Sequence, residues 1–217
     1  MQVGVKVTDD FMIAAFLRAE IDSPRFGAAY RGLLAQRRVP RSVVDNPNML
    51  RPEDSDVRRW LLRSVRGYPD TLLFAGFPTG VSWFKATVAP DDLRSLYYAD
   101  HPTWTTLTRG SRLVAVGARN VKDVPTGEDA NHNIQAVTGR VLDGETFPEL
   151  LCVSSAPDGP VVIFEGHTRA TAYVLAGDSC PDPVRLLVGF SAGMAGWRFF
   201  GDIPDRPQAE TKPATQA

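Results

Sequence analysis

The chain has 217 residues, of which 43% are hydrophobic and 23% charged, and its formal net charge is −1. This composition is typical of a globular protein with one sizeable core, and it lacks the basic excess of a duplex-DNA binder, although a local patch can hide in a neutral total. Two cysteines, Cys152 and Cys180, are too few for a disulfide framework. The apolar run at residues 11–17 is too short for a signal peptide or a membrane span. We therefore expect a soluble, cytoplasmic protein without a membrane partner.

Residues 1–76 are predicted to form a helical extension that packs on the rest of the chain. Asp9 and Asp10 precede an amphipathic run, and residues 26–34 favour a further turn or two of helix. Residues 53–65 begin with acids and end with arginines, an order that suits the helix dipole.

Residues 77–203 are predicted to form a mixed α/β domain of the α+β type, with a sheet of four or five strands. The predicted elements are a strand at 82–88, a helix at 133–142, strands at 150–154 and 161–164, a helix at 168–176 and a strand at 184–190. A turn near Asp158 and Gly159 predicts that the middle two strands are adjacent. Residues 97–128 are predicted to be an irregular loop for substrate recognition, and the polar tail at 204–217 is expected to be disordered.

The most informative stretch is Glu165-Gly166-His167-Thr168-Arg169, which joins a predicted strand to a predicted helix. Gly166 lets the backbone turn tightly, and Arg169 lies in the first helical turn, where a cation opposes the helix dipole. A helix N-terminus presents backbone N–H groups that an anion can bind together with a guanidinium. We therefore predict a phosphate site formed by Gly166, His167, Thr168 and Arg169. The alternative is a tight turn capped by Thr168, with His167 and Arg169 in solvent.

This stretch resembles the signature of the ParB/sulfiredoxin superfamily, in which a strand, the motif (D/E)-G-x-x-R and a helix follow one another. The nearest variant is the DGH(H/T)R motif of the ParB-like free-serine kinases, and the likeness covers roughly residues 77–191. It implies a ParB/sulfiredoxin-like sheet with packed helices, and a nucleotide, ATP or ADP, bound with Mg²⁺ and with Glu165 near the phosphates and the metal. Sulfiredoxin has its reactive cysteine where this chain has His167, so its redox chemistry is not implied, and Cys152 is expected to be inert core.

The sequence identifies less clearly which residue is the general base for the acceptor hydroxyl. The kinases that the chain resembles use an acidic residue from the N-terminal part of the domain. Asp92 is preferred to Asp91, with Glu128 and Asp129 as rivals, and capping a helix is the alternative role of the aspartate pair. Arg112 is predicted to be either a second anion contact or an exposed loop arginine.

The histidines differ in their context. His167 lies in the motif and is predicted to bind phosphate or to transfer protons. His101 and His132 lie outside it, and no His and Cys residues have the spacing of a structural zinc site.

Three functions fit these observations. The first is a nucleotide-dependent phosphotransferase acting on a small hydroxyl-bearing metabolite, with Glu165, His167 and Asp92 in catalytic roles. The second is a nucleotide-binding switch or adaptor of the ParB type without small-molecule turnover. The missing basic region and the missing helix-turn-helix argue against DNA as its partner. The third is a degenerate domain that binds a partner protein.

Overall fold

The computed structural model describes residues 1–126 and 130–203, which form a mixed six-stranded sheet between two layers of helices. The strands are β1 (Gln2–Val7), β2 (Ser82–Val88), β3 (Tyr97–Tyr98), β4 (Leu150–Ser154), β5 (Val162–Glu165) and β6 (Val184–Phe190). The α-helices are α1 (Asp9–Glu20), α2 (Gly27–Gln36), α3 (Ser42–Asp45), α4 (Pro52–Arg66), α5 (Pro102–Leu107), α6 (Val114–Asn120), α7 (Ala130–Leu142) and α8 (His167–Ala176). The predicted α/β fold class is therefore confirmed.

The sheet has the strand order β1-β2-β6-β4-β5-β3. β2 pairs antiparallel with both β1 and β6, β4 runs parallel to β6, and β3 runs parallel to β5. β4 and β5 are antiparallel neighbours, as the turn near Asp158 and Gly159 predicts. β5 therefore lies next to the short edge strand β3, and its C-terminal residue Glu165 leads directly into the glycine turn.

The two faces of the sheet bury separate cores, because successive side chains of a strand point to opposite sides. In β5, Val162 and Phe164 belong to a core shared with the N-terminal helices, whereas Ile163 belongs to a second core shared with α8. Phe164 is the centre of the first core. Its ring lies 5.2–6.3 Å from five other aromatic rings, those of Phe16, Phe74, Phe77, Trp83 and Trp197.

The helical prediction for residues 1–76 is confirmed at α1, α2 and α4 but is wrong at β1. Val3, Val5 and Val7 alternate with Gln2, Gly4 and Lys6, which is the period of a strand, so the sequence carries a strand signal that the helical prediction overlooked. Thr8 then separates β1 from α1, and its hydroxyl accepts a hydrogen bond from the Phe11 amide at 3.3 Å.

The prediction of an irregular loop at residues 97–128 is also wrong, since this segment contains β3, α5 and α6. These elements have two, six and seven residues, too few to give a periodic pattern. Long-range bonds stabilise them, because the Tyr97 amide donates to the Val161 carbonyl and the Tyr98 amide to the Arg112 carbonyl. Glu128, Asp129 and the tail at 204–217 lie outside the described residues.

Over residues 1–126 and 130–203, no helix combines the length and the apolar character needed to cross a membrane.

Replacing Phe164 by alanine should lower the free energy of unfolding by about 3–5 kcal/mol, because the change removes a large ring from the centre of the first core. Urea denaturation measures this loss. Leu142→Ala is the matched control, since Leu142 is 57% exposed and a surface change of this kind costs about 0.5 kcal/mol or less. Equal losses in the two variants would show that the N-terminal helices do not pack on β5.

Candidate functional site

The motif turn has a backbone that only glycine adopts without strain. Gly166 has a φ of 103°, and a Cβ atom there would lie 2.7 Å from Leu150 Cδ2 and 2.8 Å from Arg169 Nη2. α8 begins at the next residue, and its N-cap Gly166 has no side chain that could accept a hydrogen bond from the first turn. The predicted alternative of a Thr168 cap is wrong, because Thr168 is the second residue of the helix and Gly166 is its N-cap.

Arg169 turns back toward the motif. Its side chain is 8% exposed, its Nη2 lies 3.1 Å from Glu165 Oε1, and its Nη1 donates to the Pro148 carbonyl at 2.9 Å. The second carboxylate oxygen, Glu165 Oε2, accepts a hydrogen bond from the Gly166 amide at 2.6 Å. The guanidinium thus fixes the orientation of the Glu165 carboxylate at the start of α8.

His167 is held by main-chain groups and by an aromatic neighbour. Its Nε2 accepts a hydrogen bond from the Ala99 amide at 3.3 Å, and the ring also forms a hydrogen bond with the Ile163 backbone. The ring stacks on Trp104 of α5, with centroids 4.9 Å apart. The pKa of His167 is lowered to about 3. Burial is the largest cause, and the positive charges of His101 and Arg66 contribute to the same shift. The imidazole is therefore neutral and joins β3, β5 and α5.

A buried acid faces the motif from the N-terminal layer. Glu20 is 3% exposed, Tyr30 Oη donates to its Oε2 at 2.9 Å, and Arg66 Nε lies 3.3 Å from its Oε1. Burial raises the pKa of Glu20 to about 8, although the Arg66 charge opposes the rise, and the negative charge of Glu165 adds to it. The fold therefore brings two carboxylates, Glu20 and Glu165, within electrostatic reach of each other.

Glu20 is not among the site residues that the sequence predicts, although its position carries one signal. Glu20 is the last residue of α1 and follows the apolar run at 11–17, at a helix end where the dipole disfavours an acid. An acid at such a position needs a cationic partner. That partner, Arg66, is distant in the sequence and is brought close only by the packing of α1 against α4.

The structure does not bring Asp92 close to Glu165. Asp92 lies in a six-residue 3₁₀ helix after β2, and its carboxylate is 3.7 Å from the N-terminal amine. Its neighbour Asp91 lines a cleft of about 480 Å³ together with Gly177, the residue that ends α8. Glu165 precedes the start of the same ten-residue helix, which is about 15 Å long.

Arg112 is also bound to main-chain groups. It is 3% exposed, so the predicted alternative of an exposed loop arginine is wrong. Its Nε and Nη2 donate to the Tyr98 carbonyl at 3.0 and 2.8 Å, and its Nη1 donates to the Asp202 carbonyl at 3.3 Å. Burial lowers the pKa of Arg112. In this structure Arg112 ties the C-terminal segment to the end of β3.

Both cysteines are buried free thiols. For Cys152 this agrees with the prediction that it is an inert core residue. Burial raises the pKa of Cys152 to about 12 and that of Cys180 to about 11. In the part of the chain that the structure describes, no three His, Cys, Asp or Glu side chains are grouped so that they could hold a metal ion.

Comparisons of the chain with protein-family models, with curated proteins and with solved structures gave no match. The likeness to the ParB/sulfiredoxin superfamily thus rests on the motif and on the order of the elements.

The pKa of His167 predicts a specific acid sensitivity. The unfolded chain takes up a proton near the ordinary pKa of 6.5, whereas the folded chain resists protonation of His167 until about pH 3. The stability contributed by this neutral ring is therefore present above pH 6.5 and is lost as the pH falls toward 3. His167→Gln should flatten the plot of melting temperature against pH in this window. His132→Gln, a change at an exposed residue, should leave the wild-type slope, and an unchanged slope in His167→Gln would contradict the assignment.

Glu20 predicts the opposite slope. Its folded pKa of about 8 lies above the unfolded value near 4.5, so the folded chain binds the extra proton between these values and loses stability as the pH rises through them. Glu20→Gln cannot ionise and should remove this loss, which urea unfolding measured across the window would detect. Glu53→Gln, at a side chain that is 76% exposed, should behave as wild type. A wild-type slope in Glu20→Gln would show that Glu20 is ionised throughout.

Proposed function

We propose that the protein is a phosphotransferase that moves a phosphoryl group from ATP or ADP to the hydroxyl of a small metabolite. The observation that carries the proposal is the start of α8, where the N-cap is a glycine without a side chain and where the fixed Glu165 carboxylate lies within electrostatic reach of the buried Glu20. Phosphoryl transfer needs donors for the phosphates, a carboxylate for a metal ion and a base for the acceptor hydroxyl.

The phosphates are bound, in this proposal, by the backbone amides of His167, Thr168 and Arg169. These groups begin a helix, so they have no carbonyl acceptor within it, and the first helical bond runs from the Ala170 amide to the Gly166 carbonyl. The partial positive charge of the helix start favours an anion there. Arg169 contributes its positive charge next to these amides, although its hydrogen bonds go to Glu165 and Pro148.

Glu165 is the proposed carboxylate for Mg²⁺. Each of its oxygens accepts one hydrogen bond from the protein, which leaves further acceptor positions on a side chain that is 20% exposed. Mg²⁺ is commonly held by one or two carboxylates together with substrate phosphates, so the single carboxylate of Glu165 fits such a site. The bound ion would neutralise charge on the transferring phosphoryl group.

Glu20 replaces Asp92 as the proposed acceptor-side base. A base works best when its pKa lies near the working pH, and the pKa of Glu20 is raised to about 8. Tyr30 and Arg66 hold its carboxylate in place. His167 then has a positioning role, because its ring is bonded to the main chain at Ala99 and Ile163.

A thermal-shift screen with ATP, ADP, CTP and GTP, each with Mg²⁺, tests nucleotide binding, since a ligand of the folded state raises the melting temperature. Incubation with the stabilising nucleotide and a panel of amino acids, sugars and nucleosides, followed by mass spectrometry, then tests transfer. Binding without a phosphorylated product would favour the switch, and the absence of binding would favour the partner-binding domain.

Glu20→Gln should lower turnover by about 100-fold or more while leaving nucleotide binding within about twofold, because only the acceptor proton is affected. Glu165→Gln should also lower turnover more than binding, since the amide keeps the size of the carboxylate but loses its charge. Asp92→Asn is the matched control and should retain wild-type turnover. Loss of turnover in Asp92→Asn with normal turnover in Glu20→Gln would reverse the assignment of the base.

A further inference from the structure

The charge of the chain is distributed unevenly. Between Arg25 and Arg66 there are ten arginines and four acidic residues, a local charge of +6, whereas the whole chain carries −1. This stretch contains no lysine. It includes α2, α3 and α4, so the near-neutral total conceals a basic region in the N-terminal helical layer.

Several of these arginines serve the fold. Arg58 is fully buried and pairs with Asp10 at 2.6 Å, and Arg66 pairs with Glu20. Further arginines in or next to these helices also pair with acids: Arg31 with Asp22, Arg41 with Asp22 and Asp45, and Arg51 with Glu53 and Asp54. These side chains are already compensated and do not define a surface for a partner.

Four exposed arginines between Arg25 and Arg66 differ from the paired ones, and one of them, Arg59, forms a hydrogen bond with Tyr68 instead. Within the described part of the chain, Arg37, Arg38 and Arg63 have no acidic group within ion-pair distance. The Arg37 guanidinium lies 3.7 Å from the ring centroid of Trp60. Arg63 follows Trp60 by three residues on α4 and therefore shares its side of the helix. We call Arg37, Arg38, Trp60 and Arg63 the arginine face.

We propose that the arginine face binds single-stranded nucleic acid, independently of the phosphotransferase site. Guanidinium groups bind phosphate through paired hydrogen bonds, and three uncompensated ones supply the charge that holds a phosphate backbone. One side of the Arg37 guanidinium rests on Trp60, and its other planar side is a stacking surface for a base. A planar stacking surface distinguishes a nucleic acid from an acidic peptide, which offers carboxylates but no bases.

Fluorescence anisotropy with labelled oligouridine and oligothymidine of about 15 nucleotides tests the proposal, with the full chain and a salt series. Three phosphate contacts predict that the logarithm of the affinity falls against the logarithm of salt with a slope of about −2. Arg38→Ala with Arg63→Ala should weaken binding at least about tenfold and reduce the slope by about 1.4. The control is Arg94→Ala with Arg140→Ala, which removes the same charge from side chains that are about half exposed and lie outside the arginine face.

Arg37→Lys separates stacking from charge, because lysine keeps the charge but has no planar group. It should weaken binding of oligothymidine and leave binding of an abasic strand of equal length unchanged. The proposal would be overturned if the arginine-face and control variants had equal effects, or if neither oligonucleotide bound at low salt. Equally tight binding of polyglutamate or of anionic lipid vesicles would also overturn it. Circular dichroism of each variant confirms that it is folded, and Arg38→Ala alone serves if the double variant does not fold.

Discussion

The packing of α1 on β5 determines what this fold can present at its motif turn. Phe16 and Phe164 meet with ring centroids 5.4 Å apart, inside an aromatic core that excludes water from both elements. Glu20 lies four residues after Phe16, on the same side of the helix, and Glu165 follows Phe164 directly. The contact that buries two rings therefore also brings two acids toward each other. Without this contact, the motif would have its own carboxylate and no second carboxylate near it.

The motif side chains support the main chain of the turn. Arg169 and His167 both face inward, toward Glu165, Pro148 and the backbone of β3 and β5. Because these contacts fix the turn, the amides at the start of α8 are oriented by the rigid sheet. This arrangement accounts for a motif in which Arg169 is buried and Glu165, His167 and Thr168 are half-buried. In the proposed function, backbone amides bind most of the phosphate. Because every residue except proline has such an amide, the residue types in the motif do not identify these contacts.

Short-range sequence patterns predict some parts of the structure correctly and fail for others. The glycine turn, α8 and the pairing of β4 with β5 follow from short-range patterns, and the sequence predicts all three. The partners of Arg58, Arg112 and Glu20 lie up to 90 residues away, so their burial follows only from the tertiary fold. The two-residue strand β3 is too short to produce a pattern, whereas the alternating valines of β1 do indicate a strand and were overlooked.

The open edge at β1 has a consequence for solubility. Val3 and Val5 are 47% and 65% exposed on a six-residue edge strand, a combination that invites another strand to pair with it. The register of β1 against β2 shifts between Val3 and Lys6, so a bulge interrupts the row of backbone donors and acceptors. A neighbouring molecule would have to reproduce this interruption in order to extend the sheet. The irregular register thus protects the chain against edge-to-edge polymerisation, despite the exposed valines.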